Sequence, residues 1–198
     1  MGWATHAGQY GHNGNGKLGP RVSVINREAG VTCPGESPDC GIGCYAKKGH
    51  FKRFGIQAKY AASVIAIPSK LRPQFRFHAS GDFDTVDYID WCIDLVRDHP
   101  GVKFWAYTRS WTIPHLVDAL ERLRAEPNMQ LFASVDPSMV DPPTDWRKAW
   151  IEGDDRQPTK GVPVCMEQTG AKPNCESCGY CFKGFLGDIG FVKHSGWS

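Results

Sequence analysis

The chain has 198 residues, a formal net charge of +2, 41% hydrophobic residues and 22% charged residues. This composition is typical of a globular protein and excludes a largely disordered chain. The small net charge does not favour nucleic acid or a membrane surface as a partner, although a local basic patch leaves nucleic acid open.

The first half of the chain predicts loops and short elements. Residues 1–22 are rich in glycine and asparagine and predict an irregular arm, followed by a strand at 22–25. The cysteine-containing loop at 32–45 has too much glycine and proline for a regular element. Apolar residues recur at helical spacing over 51–67 and predict a helix that ends at Pro68.

The second half repeats a strand followed by a helix. Strands are predicted at 75–79, 102–107, 129–133 and 162–165. Asp84 and Thr112 are the predicted N-caps of the helices that follow the first two of these strands. Such alternation predicts a parallel sheet with right-handed crossovers.

With about five strands, the α/β fold is either an incomplete parallel (β/α) barrel or a small doubly wound sheet. In both folds the active site lies at the carboxyl ends of the strands. Polar residues occupy these predicted ends and are candidates for binding a cofactor: Ser80, Gly81, Asp82, Thr108, Arg109, Ser134 and Asp136.

The eight cysteines are the most informative feature of the chain. No apolar run could span a bilayer, and no secretion signal precedes the first strand, so we expect a cytoplasmic protein. In that compartment, metal binding explains clustered cysteines better than disulfide bonds do. Cys92 is the exception, because its position within a helix predicts a buried free thiol.

Cys33, Cys40 and Cys44 place three thiols in one glycine-rich loop. A 4Fe–4S cluster bound by three cysteines leaves one iron open, and that iron can bind a substrate or cofactor. Glycines let the backbone wrap the cluster and bring amides close to its sulfurs. A zinc site with His50 as the fourth ligand remains an alternative, as do disulfide bonds.

The loop contains Thr-Cys-Pro-Gly at 32–35 and Cys-Tyr-Ala at 44–46. With the strand and helix repeats that follow, it resembles the radical S-adenosylmethionine superfamily, in particular its small bacteriophage-encoded members. The resemblance extends over about 22–181. It implies that the open iron chelates S-adenosylmethionine, and that reductive cleavage of this cofactor gives a 5′-deoxyadenosyl radical that attacks a substrate of unknown identity.

The resemblance also implies roles for the strand-end residues. Ser80, Gly81 and Asp82 match the position of a Gly-Gly-Glu-like motif that binds the methionine amino group. The other four strand-end residues would line the pocket, and an electron donor such as a flavodoxin or ferredoxin would be a partner. No catalytic residue is assigned.

Two features depart from the superfamily pattern. The cysteines are separated by six and three residues, which is longer than the usual spacing, and the acidic residue is Asp82 rather than glutamate. A non-catalytic iron–sulfur electron-transfer protein on the same scaffold is therefore one alternative. A zinc-bound module that binds nucleic acid or protein is another.

A second group of four cysteines lies near the C-terminus, at Cys165, Cys175, Cys178 and Cys181. Two successive steps of two intervening residues indicate a metal site and favour a second 4Fe–4S cluster, with zinc as the alternative. We therefore predict two domains. Residues 1–164 form the partial barrel with its N-terminal arm, and residues 165–198 form a cysteine-rich metal-binding extension.

Overall fold

The computed structural model describes residues 10–13, 16–48, 73–151, 154–157, 160–184 and 187–193. The helix predicted over 51–67 and the alternative ligand His50 lie outside the described residues. Within the described ranges the chain forms a mixed α/β fold around one sheet. No helix in these ranges combines the length and the apolar character needed to cross a membrane.

The described ranges contain seven strands, all in one sheet. They are β1 (Tyr10–Asn13), β2 (Val22–Asn26), β3 (Gln74–Phe77), β4 (Lys103–Thr108), β5 (Met129–Val135), β6 (Arg147–Ile151) and β7 (Ile189–Phe191). β1 pairs antiparallel with β2, and β2 to β7 form a six-stranded parallel sheet in chain order. A doubly wound sheet reverses its strand order at a switch point, and this order has no reversal.

Four α-helices and two 3-10 turns accompany the sheet in the described ranges. They are α1 (Pro38–Gly43), α2 (Val86–Arg97), α3 (Pro114–Arg124) and α4 (Cys175–Cys178), with turns at Tyr45–Lys47 and Ser110–Thr112. α2 and α3 follow β3 and β4, and their apolar faces pack on one face of the sheet. Acidic Asp87 in the first turn of α2 and basic Arg97 in its last turn complement the helix dipole.

The two faces of the sheet differ in character because successive side chains of a strand point to opposite sides. On the helix-covered face, Phe75, Phe77 and Phe104 belong to the main core. On the opposite face, Trp105 packs with Phe182, which lies in the C-terminal cysteine segment. The cysteine segment therefore covers part of the sheet and also supplies β7, which pairs with β6.

The structure corrects several predicted elements. The loop at 32–45 contains α1, whose first residue is a proline, a favourable residue at that position. Thr85 rather than Asp84 caps α2, since its Oγ accepts a 3.2 Å hydrogen bond from the backbone N–H of Tyr88. Thr112 belongs to a 3-10 turn, and α3 begins two residues later.

Strand prediction failed at both edges of the sheet. β1, β6 and β7 were not predicted as strands. The predicted strand at 162–165 is reduced to a single bridge between Val164 and Gly190. β7 takes the edge position of that predicted strand, and β1 and β6 bring the described sheet from the five strands expected to seven.

Candidate functional site

Local backbone contacts shape the first cysteine loop. Ser37 is the N-cap of α1, and its Oγ accepts a 3.1 Å hydrogen bond from the backbone N–H of Cys40. Cys44 follows the last residue of α1 and begins the next turn. The Sγ of Cys33 accepts a 3.4 Å hydrogen bond from the backbone N–H of Gly30. A backbone amide directed at a cysteine sulfur is the interaction that stabilises thiolates around a cluster.

The three thiols of this loop influence one another electrostatically. Burial and the negative charges of Asp82, Cys40 and Cys44 together raise the pKa of the Cys33 thiol to about 12, against the lowering effect of the hydrogen bond from Gly30. Burial also raises the pKa of Cys40, against the lowering effect of Arg109. All three thiols are half-buried, and thiolates formed in this loop would need a compensating cation.

The loop lies against the ends of β3 and β4. The Tyr45 hydroxyl donates a 2.7 Å hydrogen bond to the carbonyl oxygen of Ala79. At Gly35 a Cβ would lie 2.2 Å from the carbonyl oxygen of Arg109, so only glycine permits this approach of the two backbones. The cysteine loop is therefore packed directly on the predicted strand-end residues.

Asp82 connects three of these segments. Its Oδ1 accepts hydrogen bonds from the Thr108 hydroxyl at 2.6 Å and from the Phe83 N–H at 2.8 Å, and its Oδ2 accepts one from the Arg109 N–H at 2.8 Å. Its own N–H donates to the carbonyl oxygen of Thr32 at 3.0 Å. Burial raises the pKa of Asp82 despite these hydrogen bonds. Asp82 therefore acts as a buried brace between the loop and β4.

Ser80 and Gly81 form a second connection, between β2 and β3. The Ser80 hydroxyl donates to the carbonyl oxygen of Arg27 at 3.0 Å, and the Arg27 N–H donates to the Ser80 carbonyl oxygen at 2.9 Å. Gly81 has a φ of +78°, and a Cβ there would lie 2.7 Å from the carbonyl oxygen of Arg27. The hydrogen bonds and close packing of these two residues hold the strand ends in register.

Asp136 joins β5 to the cysteine loop and to Arg109. Its Oδ2 accepts a 2.5 Å hydrogen bond from the Ser37 hydroxyl and a 3.3 Å bond from Arg109 Nε. Burial acts to raise the pKa of Asp136, but hydrogen bonds from Ser138 and Ser37 and the charge of Arg109 hold it below its usual range. The terminal nitrogens of Arg109 have no protein partner among the described residues.

A cavity of about 480 Å³ opens at this carboxyl edge of the sheet. Cys40 and Cys44 form part of its wall, together with the predicted residues Arg109 and Ser134. The other predicted cofactor residues do not line it and instead support its wall: Ser80, Gly81, Asp82, Thr108 and Asp136. Small-molecule sites commonly have volumes of about 300–1,000 Å³. The cavity therefore has the size and position of a cofactor or substrate site.

The second group of cysteines surrounds a smaller cavity of about 30 Å³. All four line it: Cys165, Cys175, Cys178 and Cys181. The backbone N–H of Cys175 donates a 2.9 Å hydrogen bond to the carbonyl oxygen of Lys17, and the N–H of Cys165 donates a 2.8 Å bond to that of Gly190. The first bond attaches the cysteine segment to the turn before β2, and the second joins Cys165 to β7 within the segment.

Polar and aromatic residues lie around the second group of cysteines. Burial raises the pKa of Cys181 to about 12, although a hydrogen bond from Tyr107 lowers it. The guanidinium of Arg147 lies 4.1 Å from the centroid of the Phe132 ring, and its Nη2 is buried without a hydrogen-bond partner among the described residues. Arg76 and Tyr107 line both cavities, so the two cavities share a wall.

Neither group of cysteines has the geometry of a closed metal site. No three His, Cys, Asp or Glu side chains in the described part of the chain converge at metal-binding distances. A cysteine side chain turns about a single bond, and neutral thiols have no reason to point to one centre. The donor chemistry nevertheless fits iron–sulfur clusters, since two of the three thiols of the first loop, Cys40 and Cys44, line the larger cavity and all four thiols of the second group line the smaller one.

Cys92 and His78 both lie in the core. Cys92 is fully buried on α2, as predicted. His78 is also buried, with Nε2 2.9 Å from the Tyr88 hydroxyl and its ring centroid 4.5 Å from that of Phe83. His78 is therefore a hydrogen-bonded core residue.

Several residues of the site were not found from the sequence. Ser37 lies 99 positions from its partner Asp136, so no local pattern links them. Arg76 alternates with Phe75 and Phe77 along β3, and this alternation was a usable signal that Arg76 faces away from the helix-covered core. Tyr107 was noted only as the end of an apolar strand, but it lines both cavities.

The sequence profile of the family described as Gene product 88 matches residues 66–184. A relative described as Gene 88 protein from Mycobacterium phage L5 is 39% identical over 153 residues, which cover 65% of this chain and 62% of the relative. The Gene 88 protein of Mycobacterium phage D29 is 28% identical, with the same coverage of 65% and 62%. The chain thus spans less than two thirds of the length of these relatives. No solved structure matches it.

Proposed function

The chain belongs to the Gene product 88 family, and we propose that it is a radical S-adenosylmethionine enzyme with a 4Fe–4S cluster on Cys33, Cys40 and Cys44. One observation carries the proposal. Cys40 and Cys44 share the wall of a 480 Å³ cavity with Arg109 and Ser134, at the carboxyl edge of a parallel sheet. A site that only transfers electrons does not need a large cavity beside a cluster with three protein ligands.

Chemical roles follow from the contacts of the residues in the cavity wall. When bound, a cluster with three cysteine ligands would supply an open iron and the electron for cleavage of S-adenosylmethionine. Asp136 accepts from Arg109 Nε and so orients the guanidinium, whose terminal nitrogens can donate to the carboxylate of the cofactor. Asp82 fixes the backbone of Arg109 by accepting a hydrogen bond from its N–H, and Ser134 lines the cavity.

We also propose an incomplete (β/α) barrel and a second 4Fe–4S cluster. Six parallel strands in chain order are the arrangement from which such a barrel is built. The four cysteines around the small cavity would hold the second cluster, in the segment that we predict to be a metal-binding extension. We place the activity in the cytoplasm, where thiols stay reduced and where a flavodoxin or ferredoxin would donate the electron.

Metal analysis after anaerobic purification tests the proposal. We expect about eight irons and eight sulfides per chain, and saturable binding of S-adenosylmethionine. Replacing Cys33, Cys40 and Cys44 together by alanine should remove half of the iron and all cofactor binding. Cys92→Ala is the matched control because its thiol is buried in the core. Zinc at the first site, or a cluster that binds no cofactor, would contradict the proposal.

A further inference from the structure

We infer that the substrate carries an anionic group, a carboxylate or a phosphate, which Arg76 binds in the 480 Å³ cavity. The inference rests on the proposed function, because it assigns that cavity to a substrate as well as to the cofactor. Arg76 lies in β3, outside the cysteine loop. The test of the inference does not depend on cleavage of S-adenosylmethionine.

The charge of the cavity wall is the first observation. Four cationic side chains line the cavity, at Lys17, Arg76, Arg109 and Lys193. No aspartate or glutamate is among the described residues that line it. Low-dielectric walls that carry charge of one sign concentrate ligands of the opposite sign. The cavity is therefore suited to an anion.

Arg76 differs from two other cations of the wall in lacking a carboxylate partner. Lys17 lies 3.1 Å from Glu167, and Arg109 lies 3.3 Å from Asp136. Arg76 donates from Nε to the carbonyl oxygen of His78 at 3.2 Å and has no ion pair with any described residue. A half-buried guanidinium without a carboxylate partner is available to bind an anionic ligand.

The position of Arg76 separates it from the proposed cofactor contacts. Arg76 lies within β3, paired with Val24 and Trp105, whereas Arg109 follows the last residue of β4. A ligand held by Arg76 would therefore contact a different part of the cavity wall from the cofactor held by Arg109 and the cysteine loop.

Aromatic residues beside Arg76 indicate the rest of the ligand. The guanidinium of Arg76 lies 5.3 Å from the centroid of the Tyr107 ring, which in turn contacts Phe191 edge-on at 5.3 Å. Tyr107 and Phe191 both line the cavity. A planar or apolar body with one anionic group would contact the rings and the guanidinium together.

Ligand-observed fluorine NMR on the metal-loaded full chain tests the inference. The probes are 4-fluorobenzoate, 4-fluorophenyl phosphate and the neutral 4-fluorobenzamide. We expect at least one anion to bind and the benzamide to bind at least about tenfold more weakly. Preference for benzoate or for phenyl phosphate then identifies the carboxylate or the phosphate. Equal binding of the neutral and anionic probes would overturn the inference.

Variants assign the anion to Arg76. Arg76→Gln should weaken binding of the preferred anion at least about tenfold. Arg76→Lys should restore part of it, because the charge is kept and the forked geometry is lost. Arg122→Gln is the control, since Arg122 is half-exposed on α3 and paired with Asp90. Unchanged anion affinity in Arg76→Gln would overturn the inference.

Two further readouts separate this inference from its alternatives. If Arg76→Gln lowers the metal content of the second site and leaves anion affinity unchanged, Arg76 balances that cluster and the inference fails. If it weakens S-adenosylmethionine as much as the probe, Arg76 binds the cofactor and the inference also fails. Anion binding through Arg76 in a protein that never cleaves S-adenosylmethionine would support the inference and contradict the proposed function alone.

Discussion

The Oγ of Ser37 donates a 2.5 Å hydrogen bond to Oδ2 of Asp136, and the two residues are 99 positions apart. The same Oγ accepts the hydrogen bond that caps α1. One serine therefore starts the helix that carries Cys40 and attaches it to the end of β5. The position of the cysteine loop depends on this link as much as on the cysteines themselves.

Ser37→Ala should destabilise the chain and weaken metal binding at the first site. The variant loses a helix cap and leaves a buried carboxylate oxygen with one donor fewer, so we expect a loss of about 2 kcal/mol in the free energy of unfolding. Urea unfolding and iron analysis measure both effects. Thr85→Ala removes the cap of α2 away from the site, and it should cost about 1 kcal/mol without loss of iron. Iron loss of the same size in both variants would contradict the link.

Gly35→Ala should displace the cysteine loop. The new Cβ would lie 2.2 Å from the carbonyl oxygen of Arg109, so one of the two backbones must move. We expect the free energy of unfolding to fall by about 2 kcal/mol or more, as when a core is overpacked, and the first cluster to be lost. Gly101→Ala is the matched control, because a Cβ there meets no atom within 4 Å. A Gly35→Ala protein with full iron content would show that the loop does not depend on this approach.

His78 should make stability depend on pH. Burial lowers the pKa of His78 well below its usual value, and the charges of Arg27 and Arg76 lower it further. Below the unfolded pKa of about 6.5 the unfolded chain binds a proton that the folded chain does not, so stability falls as the pH decreases. The slope for one proton approaches about 1.4 kcal/mol per pH unit.

Urea unfolding between pH 7.5 and 5.5 measures this effect in the native chain and in His78→Asn. Asparagine tolerates the φ of +59° at this position and does not titrate. We expect a smaller pH slope in the variant. An identical slope in the two proteins would mean that His78 is not the titrating group.

Cys178→Ala should remove metal from the second site alone. Three thiols would remain around the small cavity, and the segment would lose the binding free energy that couples metal to folding. We expect half of the iron to be lost, with S-adenosylmethionine binding retained at the first site. Loss of zinc with all iron retained would assign zinc to this site. An unchanged metal content would contradict a metal role for Cys178.

Buried central strands were predictable from the sequence. Apolar residues on at least one face identified β3, β4 and β5, and their bounds came out close to those predicted. β6 was missed because it begins with Arg147 and Lys148, which donate hydrogen bonds to Gln130 and Asp188, residues distant in the chain. No local sequence pattern predicts hydrogen-bond partners that are distant in the chain.

The sequence identified which residues belong to the site more successfully than it identified what each residue does there. The spacing of Cys33, Cys40 and Cys44 identified a loop that the structure holds beside a cavity. Asp82 was expected to bind a cofactor, but three hydrogen bonds from the chain already occupy its carboxylate. Whether a strand-end carboxylate faces a ligand or a neighbouring backbone depends on packing between segments far apart in the chain.

Formation of 5′-deoxyadenosine is the most direct test of the proposed chemistry. The native chain, loaded with iron and sulfide without oxygen, is mixed with S-adenosylmethionine and a strong reductant, and the products are separated by mass spectrometry. We predict 5′-deoxyadenosine and methionine from the native chain and none from the variant lacking Cys33, Cys40 and Cys44. A native chain that carries a reducible cluster and binds S-adenosylmethionine, yet releases no 5′-deoxyadenosine, would contradict the proposed function.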